Sequence, residues 1–405
     1  MHKSFYDKIK KKLEKQKFSL IVIDDAFPSI YSAFRFEEYM EYLQNINSVK
    51  ILTTGVSYSA LNEHRKMDEV IKEFEMKYPQ YKGKVTKLDV ESKSNLKDLK
   101  NKICIVTFLQ NMIGTIYDNL KMLENHKIPF IFTLYPGGGF ILNDKDSDKK
   151  LKEIFQSKYF QRVIVTQKNT YEYLINKGLC DKEKIEFIYG VVTPKKILEH
   201  NNFRKNYYTF GKNTLDICFV AHKYCERGLD KGYDLFIEAA KELSKKHENI
   251  IFHVIGGFSE HDIDVNELNN KIIFYGLQTS DSLKNLYKKM DIIISPNRPN
   301  VLKEGAFDGF PTGSATEAMI NGVTLICTDE LKLNFKFKNN KDIIIIKPNT
   351  NEIIESVNRL YNNPKEIVKI AQRGKKKALK IYSNKNQIKP RIRLIKNVAK
   401  SYYKY

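Results

Sequence analysis

No stretch of this 405-residue chain approaches the roughly 18 consecutive apolar residues that a membrane-spanning helix requires. The first 17 residues, MHKSFYDKIKKKLEKQK, lack the apolar run of a secretory signal. Both absences lead us to expect a cytoplasmic protein. The five cysteines, Cys104, Cys180, Cys218, Cys225 and Cys327, contain no CxxC pair and are odd in number, which argues against a zinc site and a disulfide framework. The eight histidines form no HExxH or other metal spacing, and neither GxSxG nor a P-loop lysine motif is present. Hydrolase and P-loop kinase chemistry therefore lose support. The lack of any short repeat or low-complexity tract speaks against solenoids and propellers.

Acidic residues are scarce where the chain begins and ends. With 69 Lys and Arg against 48 Asp and Glu the net charge is +21. Residues 1–17 contribute +5, and residues 373–405, with twelve cations and no acid, contribute +12. In the last segment Ile388, Ile392, Ile395, Val398 and Tyr402 recur at helical spacing, with Lys389, Arg393, Lys396, Lys400 and Lys404 largely off that stripe. A basic amphipathic end of this kind reads as an element for an anionic membrane surface, or as a nucleic-acid arm. No nucleic-acid-binding module is recognisable in the chain, so nucleic acid is not the expected partner.

Apolar runs alternate with helical patterns along the whole chain, which predicts an α/β protein with parallel sheets. Strands are expected at 19–24, 49–54, 84–88, 103–108, 129–134, 163–166 and 185–188. The pattern restarts after a polar stretch at 200–213 that reads as a linker, with strands at 215–221, 250–255, 272–275, 291–295, 323–328 and 342–346. Two doubly wound sheets in series face each other across a cleft, and ligands bind at the carboxyl ends of their strands.

Residues 307–329, FDGFPTGSATEAMINGVTLICTD, carry the densest chemical pattern. Asp308 precedes a Pro-Thr-Gly-Ser opening of a short helix, with Glu317 inside the helix and Gly322 after it. Thr312, Gly313 and Ser314 would present the free N–H groups of a helix N-terminus, a site for a diphosphate. The same residues also read as an ordinary cap, with Thr312 or Ser314 at the N-cap.

This segment resembles the donor-binding stretch of retaining GT-B glycosyltransferases of the family-4 type. Glu317-Ala318-Met319 and Gly322 match that stretch, but Gly309 stands where the family has its first Glu. Asp308, directly before the Gly-Phe-Pro turn, is favoured for that role, with Glu304 as the alternative. Lys231-Gly232 resembles the family's diphosphate-binding Lys-Gly pair. The family's Arg falls in the loop AHKYCERGLD, where Arg227 is favoured and Lys223 and His222 are the alternatives. Gly256-Gly257 resembles the family's glycine loop, and the backbone near Leu277 its base-contacting loop. The resemblance implies a GT-B architecture of two Rossmann-like domains, an acceptor-side domain at 1–200 with a final helix at 384–405 crossing back onto it, and a donor-binding domain at 201–383.

In the first half, Tyr135-Pro136-Gly137-Gly138-Gly139-Phe140 follows an apolar strand. Three successive glycines carry a high entropic cost unless backbone must approach a ligand or adopt positive φ. The family often places a His there, and this chain has none. Asp24, Asp25 and Arg35 follow the first strand and suit polar contacts to an acceptor, although strand-end carboxylates also cap helices. The resemblance implies a retaining transferase that uses a nucleotide-diphosphate sugar as co-substrate, with no other cofactor and no metal. Its acceptor would be a surface glycan or lipid-linked saccharide at the cytoplasmic membrane face. The alternative is a non-catalytic GT-B partner subunit of another glycosyltransferase.

Overall fold

The computed structural model describes residues 19–59, 63–88, 102–107, 112–137, 139–199 and 205–402. The lysines of residues 1–17, Gly138 and Lys404 lie outside the described residues.

Ile-, Val- and Phe-rich runs fold as parallel strands because crossover helices cover both faces of each sheet. The first sheet holds β1 (Ser19–Asp24), β2 (Val49–Thr53), β3 (Val85–Lys87), β4 (Lys102–Thr107), β5 (Phe130–Leu134), β6 (Phe160–Val165) and β7 (Ile185–Phe187), in the order β3-β2-β1-β4-β5-β6-β7. A short ribbon follows, of β8 (Tyr207–Tyr208) and β9 (Gly211–Lys212). The second sheet holds β10 (Leu215–Ala221), β11 (Ile250–Gly256), β12 (Ile272–Phe274), β13 (Ile292–Ser295), β14 (Thr324–Thr328) and β15 (Ile344–Ile346), in the order β12-β11-β10-β13-β14-β15. In each sheet the strand order reverses beside the first strand, which opens a crevice at the carboxyl ends. All thirteen strands expected from the apolar runs are present in these two sheets, with ends within three residues of expectation.

The helices are α1 (Ala33–Asn45), α2 (Met67–Lys77), α3 (Met112–Asn125), α4 (Lys145–Gln156), α5 (Lys168–Asn176) and α6 (Lys195–Glu199) in the first half. In the second half they are α7 (Tyr233–Lys246), α8 (Ser280–Tyr287), α9 (Gly313–Ile320), α10 (Thr350–Asn362), α11 (Pro364–Ile381) and α12 (Asn384–Tyr402). The last helix packs against α1 and β4 of the first half. Its Ile388, Ile395 and Val398 are buried there, as are Leu394 and Ala399.

The stretch read as a linker is instead tied into the second half from Lys205 onward. Tyr207 and Tyr208 are buried, Tyr207 donates to the Gly322 carbonyl at 2.9 Å, and the Tyr208 N–H bonds Asp291 at 3.0 Å. The halves also meet directly. Leu142 N–H donates to the Gly305 carbonyl at 3.0 Å, and the Phe140 and Phe307 rings lie 6.0 Å apart.

Gly256 ends β11 with φ at +132°, and a Cβ there would lie 1.8 Å from the Ala221 carbonyl oxygen of β10. The two strands approach so closely only because that atom is missing. Gly256→Ala should lower the unfolding free energy by about 1–3 kcal/mol. In urea this reads as an earlier midpoint with an unchanged slope.

Candidate functional site

The strand ends of both sheets enclose a cleft of about 350 Å³. Tyr31, Phe34, Tyr135, Gly137 and Gln167 line it from the first half, and His222, Tyr224, Lys231, Asp308 and Glu317 from the second.

Lys231 closes the loop after β10, immediately before Gly232 and α7. Gly232 has φ +69°, and a Cβ on it would meet the Pro296 carbonyl oxygen at 2.2 Å, so glycine is required where the loop passes the end of β13. This turn directs the Lys231 side chain inward until the residue is only 6% exposed. Its Nζ lies 2.6 Å from Asp308 Oδ2, 3.3 Å from Asp230 Oδ2 and 4.8 Å from the centre of the Tyr224 ring. Burial alone would favour a neutral amine. Asp308, Tyr224 and Asp230 outweigh it and hold the pKa above the usual lysine value.

Asp308 sits in the turn before α9. Besides Lys231 it accepts from Asn297 Nδ2 at 2.6 Å, and Asn297 is itself held by Ser295 Oγ at 2.8 Å. Glu304, the alternative for the same role, is exposed and does not line the cleft. In α9 the N-cap is Thr312, whose Oγ1 accepts from the Ala315 N–H at 3.4 Å. The N–H groups of Gly313 and Ser314 have no carbonyl one turn behind them, and both residues line the cleft. Ser314 Oγ donates to the Val220 carbonyl at 2.9 Å, which pins the helix start to the end of β10.

One turn further, Glu317 is 7% exposed and lines the cleft. Its Oε2 has no hydrogen-bond partner among the described residues. Desolvation, reinforced by the charge of Glu37, pushes its pKa up to about 8. A carboxyl in that state is a ready acceptor for a hydroxyl donor that enters the cleft.

Other residues expected at the site divide. Gly137, Gly256 and Leu277 line the cleft, whereas Gly139 and Gly257 are exposed outside it. Arg227 is exposed, adopts φ +55° and does not line the cleft. Lys223 is paired with Asp262, again outside the lining. His222 and Tyr224 of the same loop line the cleft instead, Tyr224 while still 39% exposed. Asp24, Asp25 and Arg35 are fully or almost fully buried in a network of their own. Arg35 Nη1 binds Asp24 at 2.9 Å and also Asp25, Tyr39 donates to Asp24 at 3.0 Å, and Asp24 Oδ2 accepts the N–H groups of Ala26 and Phe27 at 2.8 and 2.6 Å. These side chains fix the turn after β1 and do not line the cleft. Tyr224 and Arg298 line it without any sequence motif to announce them, and Arg298 is held by Asp234 at 2.7 Å and by the Leu229 carbonyl at 2.8 Å.

The raised pKa of Glu317 has a consequence for stability. Between about pH 4.5, the ordinary value, and about pH 8 the folded chain binds this proton more tightly than the unfolded one, so stability falls as pH rises through that window. Glu317→Gln should remove this dependence. Urea midpoints compared at pH 5 and pH 8 should show the variant gaining on the wild type at the higher pH.

Residues 222–377 match the family model of glycosyl transferases group 1. No curated protein sequence matches the chain. The fold is similar to a glycosyltransferase from Rickettsia africae ESF-5, with a TM-score of 0.65 and 16% identity over 95% of this chain and 99% of that one. It is similar to HepE of Anabaena, solved with UDP-glucose, at a TM-score of 0.62 and 13% identity over 95% and 100% of the two chains. TarM of S. aureus, solved with UDP among its ligands, gives a TM-score of 0.56 and 19% identity over 74% of this chain and 57% of that one. The chain has the GT-B fold, and residues 222–377 of its second half are similar to the glycosyl transferases group 1.

Proposed function

We propose that the chain transfers a sugar, with retention of anomeric configuration, from a nucleoside-diphosphate donor to a saccharide acceptor. The observation that carries this reading is the convergence on one cleft of Lys231, the N-terminus of α9 and Glu317, whose Oε2 has no hydrogen-bond partner among the described residues. A diphosphate supplies the negative charge that the ammonium and the helix amides are built to receive. A lysine ammonium has three donors, so Lys231 can hold a phosphate oxygen without wholly releasing Asp308. Asp308 would then accept from hydroxyls of the donor sugar, and Glu317 from the ribose.

In the transfer step the bond between the anomeric carbon and the phosphate oxygen breaks. The acceptor oxygen bonds that carbon on the same face, and its proton passes to the departing phosphate oxygen. This route assigns no protein group as base, and it uses Lys231 with the Gly313 and Ser314 amides to stabilise the leaving group. UDP-sugars head the list of donors to screen, because HepE and TarM were solved with uridine nucleotides.

Between two carboxylates and 6% exposed, Lys231 also offsets the buried Asp230, so truncation to Ala would disturb the fold. Lys231→Met avoids the cavity but also leaves Asp230 and Asp308 without their cation, so its activity is read in protein whose urea midpoint shows it folded. It should slow transfer by about 2–4 kcal/mol of barrier. Turnover at the wild-type rate in the folded variant would end the diphosphate assignment. Asp308→Asn should slow transfer with UDP affinity near wild type, whereas Glu304→Gln should leave both alone.

We further propose that the acceptor is a surface glycan or lipid-linked saccharide met at an anionic membrane face. No helix among the described residues is long and apolar enough to cross a membrane. Lys385, Lys389, Arg393, Lys396 and Lys400 are exposed along α12, and Lys365, Lys369, Arg373, Lys376 and Lys380 along α11. The apolar stripe of α12 faces the protein, so attachment would be electrostatic, with up to about 1 kcal/mol from each cation close to the surface. Replacing the five α12 cations by Gln should release the protein from phosphatidylglycerol vesicles at low salt while leaving transfer to a soluble acceptor intact. Equal binding of wild type and variant would refute this attachment.

A further inference from the structure

The buried charge of the first half is not needed by the chemistry above. Glu38 of α1 and Arg391 of α12 are both 0% exposed, with Arg391 Nε 3.4 Å from Glu38 Oε1. Arg391 Nη1 donates to the Gln387 carbonyl at 2.8 Å and to Gln387 Oε1 at 3.0 Å, while Nε and Nη2 have no hydrogen-bond partner among the described residues. An incompletely bonded ion pair in an apolar interior contributes little net stability, and apolar replacements of similar volume often serve as well or better. Its connections suggest another use. Glu38 Oε2 accepts from the Tyr135 hydroxyl at 2.9 Å, and Glu38 Oε1 from Tyr42 at 2.6 Å. Tyr135 lines the cleft, packs edge-on against Phe34 at 5.0 Å, and precedes the Pro136-Gly137 turn.

The other end of the network reaches the second half. Gln387 Nε2 donates to the Tyr189 carbonyl at 2.7 Å, and the Tyr189 hydroxyl donates to the Phe310 carbonyl at 2.9 Å. Phe310 lies two residues after Asp308 and two before Thr312, the cap of α9. A continuous run of buried polar contacts thus joins Tyr135 on one wall of the cleft to the turn that carries Asp308 on the other. Arg391 is its centre, although no part of that residue lines the cleft.

We propose that Arg391 and Glu38 are positioning residues that hold Tyr135 and the Phe310 turn in register, so that a nucleoside-diphosphate sugar is gripped from both halves. This inference rests on the donor reading above. The nucleotide would sit mainly on the second half, whereas the sugar needs both walls, so the two ligands separate positioning from general stability. The test measures affinity for UDP and for UDP-glucose, and hydrolysis of UDP-glucose, in the wild type, in Arg391→Met with Glu38→Met, and in Tyr135→Phe.

The double variant should unfold at a midpoint close to wild type and keep UDP affinity. Its UDP-glucose affinity and its rate of hydrolysis should each drop roughly ten- to a hundredfold, the scale of a small misplacement at a reacting centre. Tyr135→Phe should shift both in the same direction, and it decides the matter alone if the double variant fails to fold. Wild-type UDP-glucose affinity and hydrolysis in a folded variant overturn the inference while the donor reading stands. A wild type that binds neither UDP nor UDP-glucose fails the donor reading and this inference with it.

Discussion

Burying a lysine ammonium requires negative charge beside it, and much of the cleft follows from meeting that demand at Lys231. The residue is buried because Gly232, in a left-handed conformation with no room for a side chain, turns the chain tightly past Pro296. Two carboxylates come to the ammonium from different places, Asp230 from the same loop and Asp308 from the turn before α9. Asn297, at the end of β13, holds Asp308 at 2.6 Å. The loop after β10 and two segments more than sixty residues further on are therefore fixed around one charge. The N-terminus of α9 is fixed with them, because only three residues separate Asp308 from Thr312.

The architecture was legible because it rests on a local regularity, the period of apolar residues. Most strands of the two sheets are apolar runs bounded by polar turns, and helices on both faces bury the central ones, whereas the edge strands β3, β7 and β12 stay partly exposed. The placement of Lys231 and Glu317 on the cleft was legible for a different reason: it depends on backbone geometry encoded within a few residues. Four of the assignments that separated from the cleft, Lys223, Asp24, Asp25 and Arg35, share a physical explanation. Sequence shows that a charged side chain exists but not what takes it up. Lys223 meets Asp262, 39 residues away. Asp24 meets the amides of Ala26 and Phe27, then Arg35 and Tyr39 on the following helix. A strand-end carboxylate with its own turn and an arginine one helix later is fully satisfied within the fold.

The polar stretch before β10 illustrates the converse. Lys205, Tyr207 and Tyr208 look like linker composition, yet each finds a partner in the second half. Lys205 donates to the Tyr287 carbonyl at 2.7 Å and to that of Asn321 at 3.3 Å. These carbonyls lie at the C-terminal ends of α8 and α9, where a cation opposes the negative end of the helix dipole. Burial pushes the Lys205 pKa down to about 7, the opposite outcome to Lys231. The difference is the neighbouring charge: Asp291 only partly offsets the desolvation of Lys205, whereas carboxylates in direct contact more than offset that of Lys231.

The last helix shows the same logic at the scale of an element. Its amphipathic pattern was correctly legible as an apolar stripe with cations off it, but the stripe meets the first sheet and α1, so only the cations face outward. Arg391 departs from that division, being a cation on the inner face. Two buried cations thus serve the cleft by different means. Lys231 lies at the cavity wall, where an incoming anion can compete for its donors. Arg391 is sealed behind Tyr135, outside the cleft lining, and its charge acts through its buried neighbours Tyr135, Glu38 and Gln387. Accessibility, rather than charge or burial, is the property that distinguishes a group able to bind substrate from one able only to place the residues that do.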